Sequence, residues 1–488
     1  MQRREFLAAG AGLAGFALPA MAVSKSRPCG PSSLSVAGGS RISSECMPST
    51  GPADWFQSLE PMRWASVAGG ARMKQSWQQG ANLSSVLHGR DYWNQELVSR
   101  TGRSVLYGNF PDAVFASWNG ASLDQRRGEL LIVGNGGHTN GPDNGGYALS
   151  LRSDRPEWRR MADATPGSHL VGVGDIDQRT EAAVYLDGRP AAMHTCGVPV
   201  WANDRVWFPF QNSYYSSGKS SFATFSFDSG LLEAAPDLSR WRADSTLPWR
   251  YHGQVSETAA IGGYTFGRGV YDRKNERVFY FGKSGSSYWY LDVDKASPTF
   301  EKSLRIRPHG DFSYTCAWAV NVHGLDRNLI VLGSIHSQDL YVLDADRPDD
   351  SRSWRVKNAS PQMSWDENNP VGPAGYALEY GAVYHSASRR IFLYNPNTLG
   401  AGTMRCLSVP VTGNGNYDDA GTWKWSEIAL TAYDDDFPKP LSRGADSAGG
   451  VYGRFNLIER MDDAGTSALV AATQVGGPTY VCKLDGPA

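Results

Sequence analysis

After residue 110 one layout returns six times, and no other feature of this chain narrows its possible folds as far. A strand ends in a charged or polar turn, a second strand rich in Val, Ile and aromatics follows, then a loop, a third strand and a fourth. The copies read FASWNGASLDQRRGELLIVGNGG with GYALSL and Trp158; HTCGVPVWANDRVWFPF with FATFSFD and Trp241; FGRGVYDRKNERVFYFGK with YWYLDVD. Three more follow: TCAWAVNVHGLDRNLIVLGS with DLYVLDAD and Trp354; EYGAVYHSASRRIFLYNP with MRCLSVPV, Trp423 and Trp425; GRFNLIERMDDAGTSALVAA with TYVCKL. The sixth copy has no fourth strand. Residues 61–67, PMRWASV, read as an orphan fourth strand carrying Trp64. An N-terminal strand that completes the last unit closes a ring and removes its exposed edges. The chain therefore reads as all-β, a single β-propeller of four-stranded antiparallel blades over residues 61–488. Six blades are countable; a degenerate seventh in 159–193 or 69–117 stays open.

Composition agrees. Of 488 residues, 54 are Gly, 16 Trp and 22 Tyr, as expected of many turns and half-buried strands. A formal net charge of -2, with no basic tract, leaves no electrostatic footprint for nucleic acid. The N-terminus, MQRREFLAAGAGLAGFALPAMA, resembles a twin-arginine export signal over residues 1–22: Arg3 and Arg4 precede a weakly apolar stretch that ends in Ala20-Met21-Ala22. Gln2 and Ala8 depart from the usual flanking Ser and Lys. The resemblance implies a bacterial protein folded before export and located in the periplasm or secreted. No other segment is long and apolar enough to span a membrane. Residues 23–60 have the Ser/Gly/Pro-rich composition of a linker. Six cysteines without a CxxC pair argue against a zinc site. Cys29 and Cys46 could pair in the linker, whereas Cys196, Cys316, Cys406 and Cys482 read as small buried hydrophobes.

The glycines, Asp/Arg turns and tryptophans resemble the kelch-type propellers, the superfamily that includes the galactose-oxidase central domain. The likeness covers roughly residues 61–485 and implies the fold rather than an activity.

In a blade, the loop between the second and third strands shares a face with the start of the innermost strand. That face is expected to gather Asn135, His138, Asn140, Asp143 and Asn144 from the first repeat. Tyr214, Tyr215, Lys283, His336 and Asn395 join from later loops. Asn119, His194, Arg268, Tyr314, Glu379, Tyr380 and Arg454 come from inner-strand starts. Arginine grips carboxylates in bidentate fashion, and tyrosine offers a stacking face with a polar tip. An anionic, uronate-containing polysaccharide or oligosaccharide suits that set, and no phosphate loop is present. Plainer readings stand beside it. The Asn and Gly residues can serve the turn, His138 can cap its loop, and Arg268 and Arg454 can tie blade to blade. Asp124, Asp204, Asp272 and His385 fall in turns of the opposite face.

Three function classes follow. A polysaccharide lyase would use Arg268 or Arg454 with Asn119 to neutralise a uronate carboxylate, His194 or His138 as base, and Tyr314 or Tyr380 as acid. In kind this is similar to the propeller lyases with His/Tyr/Arg sites. A non-catalytic glycan- or protein-binding propeller would present the same face. A copper-radical oxidase, which the galactose-oxidase likeness invites, would use Cys196 and Tyr264; but Gly381 follows Tyr380 where a ligating histidine is wanted. Asp143 and Glu379 could form a hydrolase pair. No motif requires a cofactor.

Overall fold

A computed structural model describes residues 54–69, 80–89, 92, 113–116, 119–135, 143–169, 184–185, 187–190, 192, 195–212, 222–229, 248–254, 267–282, 284–306, 313–334, 337–348, 353–357, 359, 380–396, 400–410, 417, 419–439 and 451–484. The chain divides into two units, 1–49 and 50–488, and every described residue belongs to the second. The signal-like segment, Cys29 and Cys46 lie outside the described residues.

The second strands show how this chain closes into blades. Leu329–Gly333, LIVLG, is apolar on both faces instead of alternating. Leu329 and Val331 enter a core shared with the following blade, while Ile330 and Leu332 enter the core shared with the preceding one. Leu130 and Ile132 against Leu131 and Val133 divide in the same way. A sheet covered on both faces favours continuous apolar runs, which here means that each core lies between two sheets.

Six such sheets form a β-propeller among the described residues. From axis to rim, blade 1 is Ser122–Asp124, Glu129–Val133, Gly146–Ser150 and Trp158–Ala162, and blade 2 is Val200–Ala202, Arg205–Asn212, Phe222–Asp228 and Trp249–Gln254. Blade 3 is Arg268–Asp272, Arg277–Phe281, Tyr288–Asp292 and Ser303–Ile306; blade 4 is Trp318–Val322, Leu329–Gly333, Leu340–Asp344 and Ser353–Val356. Blade 5 is Gly381–His385, Arg390–Tyr394, Thr403–Ser408 and Lys424–Ala429. Blade 6 takes Phe455–Ile458, Ala468–Ala472 and Thr479–Lys483 from the C-terminal end and Arg63–Ala68 from the N-terminal end. That closing strand is antiparallel to Thr479–Lys483, with Trp64 opposite Cys482 and Ser66 opposite Tyr480. It is the orphan strand of the sequence.

The first turn of each blade is built from polar residues with a defined task. Asp124 accepts from the Arg127 amide at 3.0 Å, and Asp272 accepts from the Lys274 amide at 3.1 Å. Asn203 and Asp204, at φ of 50° and 64°, form the two-residue connection of blade 2 that left-handed residues allow.

Two details differ from the sequence reading. The fourth strand of blade 2 carries Trp249, while Trp241 lies outside the described residues. The helix Asp54–Gln57, inside the stretch read as linker, buries Trp55 and Phe56 in the core between blades 6 and 1. Composition averages hid a short apolar segment with a surface to cover. Cys196, Cys316, Cys406 and Cys482 are buried, as expected of small hydrophobes.

Rim tryptophans tie neighbouring blades. Trp158 donates from Nε1 to Thr479 Oγ1 at 3.1 Å, and Trp354 donates to the Tyr417 carbonyl at 3.1 Å. Trp64 is fully buried, with its ring 5.3 Å from that of Tyr394 in blade 5. Removing it empties a closed core at the point where the two chain ends meet. Trp64→Ala is therefore expected to cost about 3–5 kcal/mol of unfolding free energy in denaturant titrations. A loss below about 1 kcal/mol would show that closure does not depend on this side chain.

Candidate functional site

The six inner strands turn their unpaired edges towards the axis, where they enclose a cavity of about 220 Å³. Its lining draws on every blade, including Gln125, Trp201, Arg268, Arg273, Asn321, His323, Tyr380, Tyr384, Tyr452 and Glu459. Such edges need partners for their amides and carbonyls, so a polar occupant suits the space.

The two ends of the cavity differ. At the inner-strand starts the backbones crowd together. A Cβ on Gly120 would sit 1.8 Å from the Cys196 carbonyl oxygen, and one on Gly453 would sit 2.1 Å from that of Ala121. The Gly269 amide donates to the Gly197 carbonyl at 2.7 Å, joining two neighbouring inner strands directly. Arg268 of blade 3 crosses this narrow end. Its Nε donates to the Ala317 carbonyl of blade 4 at 2.9 Å, and its guanidinium lies 5.0 Å from the ring of Tyr452 in the opposite blade 6. Only 5% of Arg268 is exposed, and Trp318, Tyr380 and Tyr452 beside it are buried.

At the other end, where the inner strands run into their first turns, polar groups meet across the axis. Arg273 of blade 3 pairs with Glu459 of blade 6, Nη1 to Oε2, at 2.6 Å. His323 of blade 4 brings Nε2 to 3.6 Å from the other oxygen, Oε1. The Glu459 amide donates to Gln125 Oε1 at 3.1 Å, which ties the Glu459 backbone to blade 1. The His323 ring stands edge to face with Tyr384 of blade 5, centroids 5.5 Å apart. Side-chain exposure is 40% for Arg273, 29% for His323 and 22% for Glu459, so this end faces solvent.

Burial alone would raise the Glu459 carboxyl, but the facing imidazole and guanidinium outweigh it and hold it near about 2. Burial pushes the Tyr384 hydroxyl up to about 12, so it stays protonated. Three polar atoms here lack a hydrogen-bond partner among the described residues: His323 Nδ1, Tyr384 Oη and Asn321 Oδ1. Leaving such groups unsatisfied costs roughly 1–3 kcal/mol each, so native sites supply a water or a ligand.

Among the described residues, most of those expected from sequence lie away from the cavity lining. Arg268 and Tyr380 line the cavity. Asn119 and Asn135 are buried in a network between blades 1 and 2: Asn119 Nδ2 donates to the Asn135 carbonyl at 2.5 Å, and Thr195 Oγ1 donates to Asn135 Oδ1 at 2.7 Å. Asn144 Nδ2 donates to Thr165 Oγ1 at 2.9 Å and to the Pro190 carbonyl at 2.8 Å. Asp143, raised by burial, accepts from the Tyr147 hydroxyl at 2.7 Å. The Tyr314 hydroxyl, on the approach to blade 4, donates to the Ser287 carbonyl of blade 3 at 3.1 Å. Arg454, fully buried, donates from Nε to the Asn119 carbonyl at 2.9 Å and ties blade 6 to blade 1; burial lowers it to about 9. Asn395 is buried in the second loop of blade 5. His138, Asn140, His194, Tyr214, Tyr215, Tyr264, Lys283, His336 and Glu379 lie outside the described residues.

Sequence reasoning did not select Arg273, His323, Tyr384 or Glu459. Arg273, His323 and Glu459 occupy equivalent positions, just beyond the last residue of an inner strand, in RGVYDR, VNVHG and NLIER, whereas Tyr384 is the next-to-last residue of Gly381–His385. Aligning the six copies and comparing the column after the inner strand would have grouped the first three. A second constellation lies off the axis. Ser226 Oγ stands 2.6 Å from His252 Nε2, and His252 Nδ1 is 3.1 Å from Glu301 Oε2 of blade 3. Ser226 and the His252 side chain are fully buried, which makes this a tie between blades 2 and 3 and closes it to a substrate. Among the described residues no cluster of three or more His, Cys, Asp or Glu could hold a metal, and no helix is long and apolar enough to cross a membrane.

No protein-family model and no curated protein sequence matches this chain. Solved structures of similar fold include TolB from Acinetobacter baumannii, at 8% identity and a TM-score of 0.29, covering 71% of this chain. The chain spans 61% of that TolB structure's length. The major allergen Mala s 1 of Malassezia sympodialis is 10% identical over 77% of this chain and 95% of its own, TM-score 0.34. Virginiamycin B lyase from Staphylococcus aureus, solved with quinupristin, is 7% identical over 77% and 97%, TM-score 0.35. Likenesses of this strength transfer no activity to the chain.

The Glu459 carboxyl titrates near about 2 when folded and near 4.5 as a free side chain, so its pairing stabilises fully above the free value and is lost as pH falls towards the folded one. Between about pH 5 and about pH 2.5 the unfolding free energy is expected to drop more steeply in the wild type than in Glu459→Gln. Parallel curves would mean that the cross-axis pairing adds nothing to stability.

Proposed function

We propose that the axial cavity is the functional site of a carbohydrate-active propeller, and that it takes a uronate-containing glycan and cleaves it by β-elimination. The observation that carries this reading is that His323 Nδ1, Tyr384 Oη and Asn321 Oδ1, three buried polar atoms without a hydrogen-bond partner among the described residues, belong to residues lining the same cavity as the Arg273–Glu459 pair. The lining carries two guanidiniums, Arg268 and Arg273, against one carboxylate, Glu459, and this balance favours an anionic sugar.

Each residue then has a task. The substrate carboxylate exchanges with Glu459 on the exposed Arg273 guanidinium, and its neutralisation makes the C5 proton acidic enough to remove. His323 Nδ1 takes that proton. Its Nε2 already faces Glu459, whose charge stabilises the imidazolium that forms. The C5–H electrons form the C4–C5 double bond, the C4–O bond breaks, and Tyr384 gives its proton to the departing oxygen. Asn321 Oδ1 accepts from a sugar hydroxyl. A protein exported to the periplasm or beyond would meet such polymers outside the cell.

Product formation on a panel of uronate polysaccharides, followed by the ultraviolet absorbance of the unsaturated uronate, tests the reading. His323→Ala and Tyr384→Phe are each expected to lower the rate by about 10²–10⁴-fold. Loss confined to His194→Ala or His138→Ala would move the chemistry to the opposite face. Retained glycan binding without any absorbance would make the protein a non-catalytic binding propeller.

A further inference from the structure

Building on that reading, we infer that the site recognises the end of a glycan chain and not an internal stretch, because the cavity has one usable mouth. Both ends of the axis are crossed by a contact between opposite blades 3 and 6, but the two contacts differ in kind. At the inner-strand starts the crossing is Arg268 to Tyr452, buried and bolted by the Ala317 and Gly267 carbonyls at 2.9 and 3.0 Å. The backbones around it leave no room to spread, since a Cβ on Gly381 would meet the Tyr452 carbonyl oxygen at 2.7 Å and one on Gly269 the Val198 carbonyl oxygen at 2.6 Å. Opening this end would break buried hydrogen bonds and part the inner strands.

At the turn end the crossing is the Arg273–Glu459 ion pair, formed by the tips of two side chains that keep 40% and 22% of their surface exposed. A pair that water reaches is weaker than a buried one, and side-chain tips can swing aside without disturbing a strand. From Arg268 to Arg273 the inner strand advances five residues, or about 17 Å at a strand rise of ~3.3 Å. With a volume of about 220 Å³, the cavity falls below the roughly 300–1,000 Å³ of pockets for drug-sized ligands. A polymer cannot thread through such a space; a terminal segment can enter it. His323 and Tyr384 stand at the mouth, so the bond placed beside them joins the inserted terminus to the rest of the chain. The products expected are short fragments released successively from one end.

Calorimetric titration of the full chain with oligogalacturonates and oligomannuronates, monomer to hexamer, decides the matter. Each oligomer is used free, capped at the reducing end, and capped at the non-reducing end. Affinity is expected to level off at short length, and capping one particular end should weaken binding by about tenfold or more. In Arg268→Ala and Tyr452→Ala, checked for folding by circular dichroism, the cap penalty should shrink to about threefold or less. Affinity that grows through the hexamer and ignores both caps would overturn end recognition while leaving the glycan reading intact. A cap penalty unchanged in both folded variants would show that the Arg268–Tyr452 closure does not create it. No binding of any oligouronate, capped or free, would overturn the functional reading, and this inference with it.

Discussion

Every sheet of this protein is covered on both faces by its neighbours, and that packing is what the remainder of the structure depends on. Residues of one strand divide between two cores, as Leu329 and Val331 do against Ile330 and Leu332. A blade taken alone would expose two apolar faces to water. Stability therefore requires the full circle, and the circle requires Arg63–Ala68 to complete the sixth blade. Closure also accounts for the fully buried Trp64, which fills the core at the seam.

The same ring gives the axis its polarity. Glycines at the inner-strand starts let backbones approach within contact distance, and Arg268 and Arg454 then bond to the carbonyls of adjoining segments. These guanidiniums act as braces across blades. At the opposite end the inner strands run into polar turns, the side chains lengthen, and charge meets across the opening in Arg273 and Glu459. Crowded backbone crosses the axis at one end and side-chain tips cross it at the other.

Sequence legibility followed the range of the signal. The repeat, the closing strand and the turn aspartates depend on residues within a blade, and all could be read from periodicity and turn chemistry. The site could not. Asn119, Asn135 and Asn144 carry polar groups at the expected face, yet their amides are used in bonds to backbone and Thr side chains from segments distant in sequence. His323 was passed over because it sits at a first turn, where a structural role is the usual one, and Tyr384 because it lies far along its inner strand. What distinguishes them is the company they keep across the axis, more than 60 residues apart in the chain.

By itself, then, the sequence determined the architecture: an all-β ring, its order of strands, and the strand that seals it. Those features arise from local patterning, repeated until only one closed arrangement buries all the apolar faces. Which arginine braces and which one faces solvent, and which histidine nitrogen lacks a hydrogen bond among the described residues, were decided by the tertiary structure alone. Those properties belong to distances between blades, and a distance across an axis leaves no mark on the neighbours of a residue in the chain.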